Sequence, residues 1–507
     1  EDGELRPASW TEALAVAARG LQAAGSVGVL TGGRLTAEDA YAYSKFARVA
    51  LGTNDIDFRA RPHSAEEADF LASHVVAKSL EVTYADLEKA TTVVLVGLEP
   101  EDESPIVFLR LRKAARKGRT KVFSVAPFTS RGLAKMHGTL VPCAPGDEPQ
   151  VVEALAHDGK VALDRGGVIL VGERMASVPG ALSAVAALAG TTGARLAWVP
   201  RRAGDRGAVE VGCLPNLLPG GRPVSVADAR VDAGAAWGVT SLPDRPGRDG
   251  DQIIAAAASG ELKGLVVAGV DPADLGDPAL AAAALETADF VVSLEVRASE
   301  VSPYADVVLP VAPVTDKAGS FVDWEGRVRS FGQVFQEPSS LPEVRILAGI
   351  AEEMGVGFGI RTTEQARAEM ESFGAWEGER LPAPTTPAAP GADLSEGHYL
   401  LATWKLLLDD GRMLDGDEYL KATGRRAVAL VSPSTLRGLG VDAGQLVTIA
   451  TDRGSMELPV GVADLPDHVV WAPSTAVGMS LSRELGTATA GTVVRLEGVV
   501  PSLSKEG

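Results

Sequence analysis

Three short runs of this chain, Thr91-Thr-Val-Val-Leu-Val-Gly97, Gly167-Val-Ile-Leu-Val-Gly172 and Gly264-Leu-Val-Val-Ala-Gly269, are apolar at nearly every position and end on glycine. A strand with water on one face alternates apolar and polar residues. A strand that does not alternate is covered on both faces, the condition of a parallel sheet between two layers of helices. Segments with helical character separate and flank these runs: 36–51 with Thr36 as cap, Pro105–Lys117, the Ala-rich 181–190, 251–258 and 277–287. Further strands are read at 27–33, ending in glycines, and at Lys121–Val125, Ala194–Val199, 289–294 and 306–309. The alternation predicts an α/β fold with two Rossmann-like doubly wound units, the first over 26–160 and the second over 161–380.

A helix leads in over residues 1–25. Ser9 is placed to cap it, and Glu12 stands three residues on, as in a capping box. So abrupt a start reads as the continuation of something upstream. The proline-rich Leu381–Ala392 marks a linker over 381–397. Over 398–507 the texture changes to short strands (427–431, 446–450, 455–460, 469–471 and 492–496) separated by turns, which predicts a small β-barrel.

A chain of 507 residues is too long for one core. With 46% hydrophobic but only 5% aromatic residues, aliphatic side chains must fill the cores. The net charge of −19 argues against a nucleic-acid partner and against docking on an anionic membrane. Two cysteines, Cys143 and Cys213, lie far apart, and Cys-x-x-Cys is absent. A four-cysteine iron–sulfur cluster within this chain is thereby excluded. The six histidines lack helix-face metal spacing, so no metal site is predicted. No apolar run is long enough to span a bilayer.

The two halves share a detail. Val94-Leu-Val-Gly97-Leu98-Glu99-Pro100 matches Val266-Val-Ala-Gly269-Val270-Asp271-Pro272. Each reads apolar strand, glycine, apolar residue, acid, proline, which supports an internal repeat and makes Gly97, Glu99, Gly269 and Asp271 candidate positions of a ligand turn. Gly-x-Gly-x-x-Gly and the P-loop are absent, which argues against NADH or ATP sites. Adjacent acids such as Glu66-Glu67, Asp147-Glu148 and Asp409-Asp410 do not face each other across a cleft and are read as solvated faces, so no catalytic residue is assigned.

The most telling stretch is Ser302–Ser330. Ala305-Asp-Val-Val-Leu-Pro310, followed by Lys317-Ala-Gly-Ser-Phe-Val-Asp-Trp-Glu-Gly-Arg-Val328, resembles a signature of the molybdopterin oxidoreductase superfamily. The Glu-Gly-Arg form is most similar to that of the large iron–sulfur subunit of respiratory complex I; Asp323 stands where Asn is usual. The C-terminal barrel resembles the superfamily's molybdopterin-dinucleotide-binding domain. The superfamily's molybdenum enzymes carry a metal-binding Cys, selenocysteine or Ser after the Gly52-Thr-Asn54 segment. Here Ala60-Arg61 and His63 match and Pro62 takes the ligand position, while Ser64 reads as a helix cap.

The resemblance implies a structural, non-redox part of the proton-translocating NADH:quinone oxidoreductase, which passes electrons from NADH through iron–sulfur clusters to quinone. It implies no cofactor in this chain, with the clusters in a preceding N-terminal region. It implies other peripheral-arm subunits as partners, no membrane span of its own, and a place at the cytoplasmic face of the bacterial plasma membrane. Gly97, Glu99, Gly269, Asp271 and Arg327 would then mark a vestigial cofactor cleft, with Arg59 and Arg61 as further possible donors. The alternative is a formate-dehydrogenase-like molybdoenzyme fragment binding a pterin dinucleotide.

Overall fold

The computed structural model describes residues 4–157, 159–335, 340–487 and 489–499. Its two large sheets are parallel and five-stranded. One runs in the order Val307–Pro310, Phe290–Glu295, Gly264–Ala268, Val27–Thr31, Ile56–Asp57. The other runs Thr139–Pro142, Lys121–Ala126, Thr92–Val96, Val168–Gly172, Arg195–Val199. The strands without alternation, 92–96, 168–172 and 264–268, are buried at every position.

This grouping differs from the continuous units expected over 26–160 and 161–380. The chain starts one sheet with 27–31 and 56–57, builds the other sheet over 92–199, and returns to the first at 264. The compact units are 1–80 with 202–383, and 81–201 with 384–507. A strand–helix alternation looks the same whichever sheet the next strand joins, because a parallel crossover is long and its sequence does not name its destination. The strands Ile56–Asp57 and Thr139–Pro142 also escaped the sequence reading, being too short for a period to register.

The repeat is geometric as well as textual. The central strands 92–96 and 264–268 each end in a left-handed glycine, Gly97 at φ +60° and Gly269 at φ +63°. A glycine on the adjoining strand packs on each. A Cβ at Gly172 would lie 2.1 Å from the Gly97 carbonyl oxygen, and a Cβ at Gly32 would lie 2.1 Å from that of Gly269. No side chain fits at either place, so four glycines are required by one repeated turn.

In the unit of 1–80 and 202–383, aliphatic side chains including Leu30, Ile253, Leu265, Val267, Leu285 and Val291 form a core cluster. Its lead-in helix Trp10–Ala24 is capped by Ser9, whose hydroxyl accepts from Glu12 N at 3.2 Å. Its helix Ala37–Lys45, continued by a π-turn over Phe46–Ala50, is buried along its whole length, charged residues included. Partners for those charges must therefore come from elsewhere in the fold.

In the other unit, six strands close a barrel in the order His398–Ala402, Val469–Trp471, Ala429–Val431, Ser455–Val462, Leu446–Ala450, Val493–Gly498. Leu401, Val447, Ile449, Val460, Val470 and Leu496 fill it. A second cluster, with Phe128, Trp404, Leu406 and Trp471, ties the barrel to the loop after strand 121–126. No helix among the described residues is long and apolar enough to cross a membrane.

The proposed linker has no regular secondary structure from 381 to 395. Part of it is docked: Thr386 N donates to Ser183 Oγ at 2.9 Å, and the backbone of 387–388 lies against Gly180. Residues 389–393 are exposed. Brief treatment with a broad-specificity protease is therefore expected to nick first within 389–396. The C-terminal fragment should separate only on denaturation, because the aromatic cluster holds it; first cuts at 381–388 would contradict the docking.

Candidate functional site

The Ser302–Ser330 stretch is built around a buried cation. Lys317 Nζ lies 2.7 Å from Asp39 Oδ2 and 2.7 Å from Glu343 Oε2, all three side chains being nearly inaccessible. Burial alone would lower the Lys317 pKa, but the two carboxylates outweigh it and hold it above the ordinary value. One cation cannot neutralise two carboxylates. Burial and the neighbouring Asp39 push Glu343 up, while Lys317 and Thr36 overcome burial at Asp39 and hold it down. Three residues on, Ser320 gives its N–H and its hydroxyl to Glu38, both at 2.8 Å, and Arg367 donates to Glu38 as well. Gly319 is needed between them, since a Cβ there would come within 2.6 Å of the Thr36 side chain. The conspicuous Lys-x-Gly-Ser pattern thus clamps a loop onto the helix 37–45.

The Glu-Gly-Arg segment closes a hairpin in which Val322 pairs with Val328. Gly326 takes φ +79° and sits on Ser79, where a Cβ would meet the backbone at 2.7 Å. Asp323 Oδ1 accepts from Glu325 N and Arg327 N, both at 3.0 Å. These are acceptor roles, so a carboxylate serves at this position without an amide's N–H. Arg327 Nε donates to Glu325 Oε2 at 3.1 Å.

The segment after Asn54 is equally self-paired. Arg59 is enclosed between Asp57 at 2.7 Å and Glu67 at 3.4 Å, and Arg61 reaches Glu67 at 2.7 Å. Burial would raise Asp57, but Arg59 and His63 outweigh it and hold its pKa at about 2. His63 is buried beside Asp57, Asp249 and Asp251 at 3.8–4.0 Å. Burial and Arg59 oppose its charge, and these carboxylates raise its pKa on balance. Ser64 caps the helix Ala65–Phe70, accepting from Glu67 N at 3.3 Å. Two readings of solvated acids fail here: Glu67 is enclosed by two arginines, and Asp409 is buried against Arg201 at 3.1 Å. Neighbours in sequence said nothing about cations arriving from elsewhere in the fold.

The paired turns extend further than the sequence reading took them. Gly97-Leu-Glu-Pro-Glu-Asp102 aligns with Gly269-Val-Asp-Pro-Ala-Asp274. The first acid caps in both: Glu99 accepts from Glu101 N at 3.3 Å and Asp271 from Ala273 N at 3.1 Å. The acid three residues after the first takes an arginine in both, Asp102 from Arg425 and Asp274 from Arg202. Beside the first turn is a cavity of about 350 Å³ lined by residues including Glu99, Phe128, Ser130, Trp404, Arg425 and Trp471. Its wall is aromatic, with ring centroids 4.7 Å apart for Trp404–Trp471 and 5.4 Å for Phe128–Trp404. The buried Nε1–H of Trp471 has no acceptor among the described residues.

Of the predicted positions, Gly97 and Glu99 share one turn, Gly269 and Asp271 share the other, and Arg327 belongs to the hairpin. Sequence reasoning missed the roles of Lys317, Arg48 and the three-ring cluster. Lys317 had a signal, a lone cation two residues before Gly319 in the Lys-x-Gly-Ser pattern. Arg48 had none: it is buried and donates to Asn54 Oδ1 and to the carbonyls of Gly212, Leu214 and Leu217. Burial pulls its pKa down to about 10.

A family model described as molybdopterin oxidoreductase matches residues 1–342. The chain belongs to the molybdopterin oxidoreductase family. It is 53% identical over 502 residues to the G subunit of NADH-quinone oxidoreductase from Mycobacterium tuberculosis (strain CDC 1551 / Oshkosh), covering 97% of this chain and 62% of that protein. The protein of the same description from Streptomyces coelicolor is 49% identical, covering 99% of this chain and 63% of the relative. The chain thus spans less than two thirds of the length of these relatives. Acetylene hydratase from Pelobacter acetylenicus shares the fold at a TM-score of 0.59 and 14% identity, over 98% of this chain and 90% of that one.

The family name implies a molybdopterin group, and the residues present do not fit one. Pro62 offers no donor, Arg59 and Arg61 are neutralised by Asp57 and Glu67, and both turns are capped by the chain's own carboxylates. No group of three His, Cys, Asp or Glu among the described residues is placed to hold a metal ion.

Two substitutions measure these charges. Lys317→Met leaves Asp39 and Glu343 buried without their cation and is expected to cost about 3–5 kcal/mol in denaturant unfolding, much of it restored when Asp39→Asn and Glu343→Gln are added. For Glu99, burial raises the carboxyl pKa from 4.5 to about 7. The folded protein therefore holds a proton that the unfolded chain has lost, and this group's contribution to stability falls as pH rises from about 4.5 to 7. Glu99→Gln should remove that fall and stabilise the protein above pH 7 by on the order of 3 kcal/mol. Below about pH 4 it should change little. Unfolding curves across this range check both statements.

Proposed function

We propose that this chain is the structural, non-redox part of the iron–sulfur subunit of a proton-pumping NADH:quinone oxidoreductase. The observation that carries the reading is the 53% identity, across 97% of the chain, to the mycobacterial NADH-quinone oxidoreductase protein. The self-paired charges around Pro62 and the two turns support a scaffold role over a catalytic one. In this reading electrons pass from NADH to quinone through iron–sulfur clusters held outside this chain. Its partners are the other subunits of the peripheral arm, and the assembly lies at the cytoplasmic face of the plasma membrane. A formate-dehydrogenase-like fragment would need a ligand where Pro62 stands and a cleft open to a dinucleotide.

Affinity purification from the native cell, followed by mass spectrometry, is expected to recover NADH-oxidising and quinone-reducing subunits with this chain. Plasma mass spectrometry and the fluorescence of oxidised pterin should find no molybdenum, tungsten or pterin assignable to it. Recovery as a lone protein, or near one metal atom per chain, would overturn the reading.

A further inference from the structure

We infer that both glycine turns are latched by the chain's own arginines and carboxylates, so that neither is available to a nucleotide or a pyrophosphate. Four features carry the inference. One N–H that each turn would offer an anion is already taken, Glu101 N by Glu99 and Ala273 N by Asp271. The aspartate three residues on is also taken in each case, Asp102 by Arg425 and Asp274 by Arg202. Asp102 accepts a second donor, Trp404 Nε1 at 3.2 Å. Each arginine or its neighbour then grips backbone beyond the turn. Arg202 donates to Ala60 O at 3.1 Å, in the segment of Pro62, and Arg174, paired with Glu103 at 3.1 Å, reaches toward Thr403 O.

The chemistry of the first turn points the same way. Pro100-Glu-Asp-Glu103 places three carboxylates in the single turn after Glu99. Glu99, Glu101 and Asp102 line the cavity beside this turn together with Arg131, Arg425 and Arg426, and the like charges of the acids disfavour a phosphate at the turn itself. What these carboxylates do hold is the chain itself. Glu101 pairs with Lys135, Asp102 with Arg425 and Glu103 with Arg174. Asp102 and Glu103 thus pin the barrel's Trp404 and Arg425 segments to the sheet of 92–199 inside one compact unit. The same device recurs in the other unit, where Asp274 and Arg202 pin the turn to the loop of Ala60. The inference stands on this geometry and not on membership of a respiratory complex, so its failure and that of the co-purification are separate results.

The test uses the full chain, with AMP, GMP and inorganic pyrophosphate as probes and hydrogen exchange as the readout. Wild type is expected to show no saturable binding of any probe by calorimetry and no added protection of amides at 97–104 or 269–275. Arg425→Ala should speed exchange of amides in 403–406 and 425–428 about tenfold or more, and Arg202→Ala should do the same at 58–62. If an alanine variant does not fold, Arg→Lys at the same position keeps the charge and loses the fork, and should show a smaller acceleration confined to the same amides. Stoichiometric binding of a probe to wild type with protection of either turn would overturn the inference. So would unchanged exchange at the pinned segments in the variants.

Discussion

A buried cation needs buried anions, and the loop that bears the family signature depends on that rule. Lys317 is enclosed between Asp39 and Glu343, and the helix 37–45, the loop that crosses it and the start of the helix Glu343–Glu353 are held at one point by those three charges. The desolvation of each charge is large, so the group is stable only with all members present and every remaining oxygen or hydrogen satisfied. Thr36 Oγ1 and Val344 N supply such contacts to Asp39. A motif that reads like a ligand loop is, in this chain, the fastening of one loop to one helix.

The same pairing runs through the rest of the structure. Arg59, Arg61 and Glu67 close on one another around Pro62. The acidic turns close on Arg425 and Arg202. In a chain with a net charge of −19, these arginines are drawn inward to carboxylates. The fold of a cofactor-binding family is kept while its polar interior serves the protein's own cohesion.

Much of the architecture was legible. The uninterrupted apolar runs announced buried parallel strands, the proline-rich stretch and the short strands beyond it announced a barrel, and Ser9, Thr36 and Ser64 announced their helix starts. Each of these signals is local, a period or a cap read within a dozen residues. The repeated Gly-x-acid-Pro was legible too, because a left-handed glycine must be spelled in the sequence.

Which sheet each strand enters was decided only by the tertiary structure. The sequence by itself determined that this chain makes α/β layers with two matching glycine turns and a C-terminal barrel. It did not say that 27–31 and 56–57 belong with 264–310, because a parallel crossover is specified by packing over hundreds of residues and not by the residues it connects. Nor did it say which charges meet. Arg425 is 323 residues from Asp102, and Lys317 is 278 from Asp39. A charge alone in the sequence reads as a solvated surface group; folding supplies its counter-ion, and that pairing separates a binding site from a structural clamp.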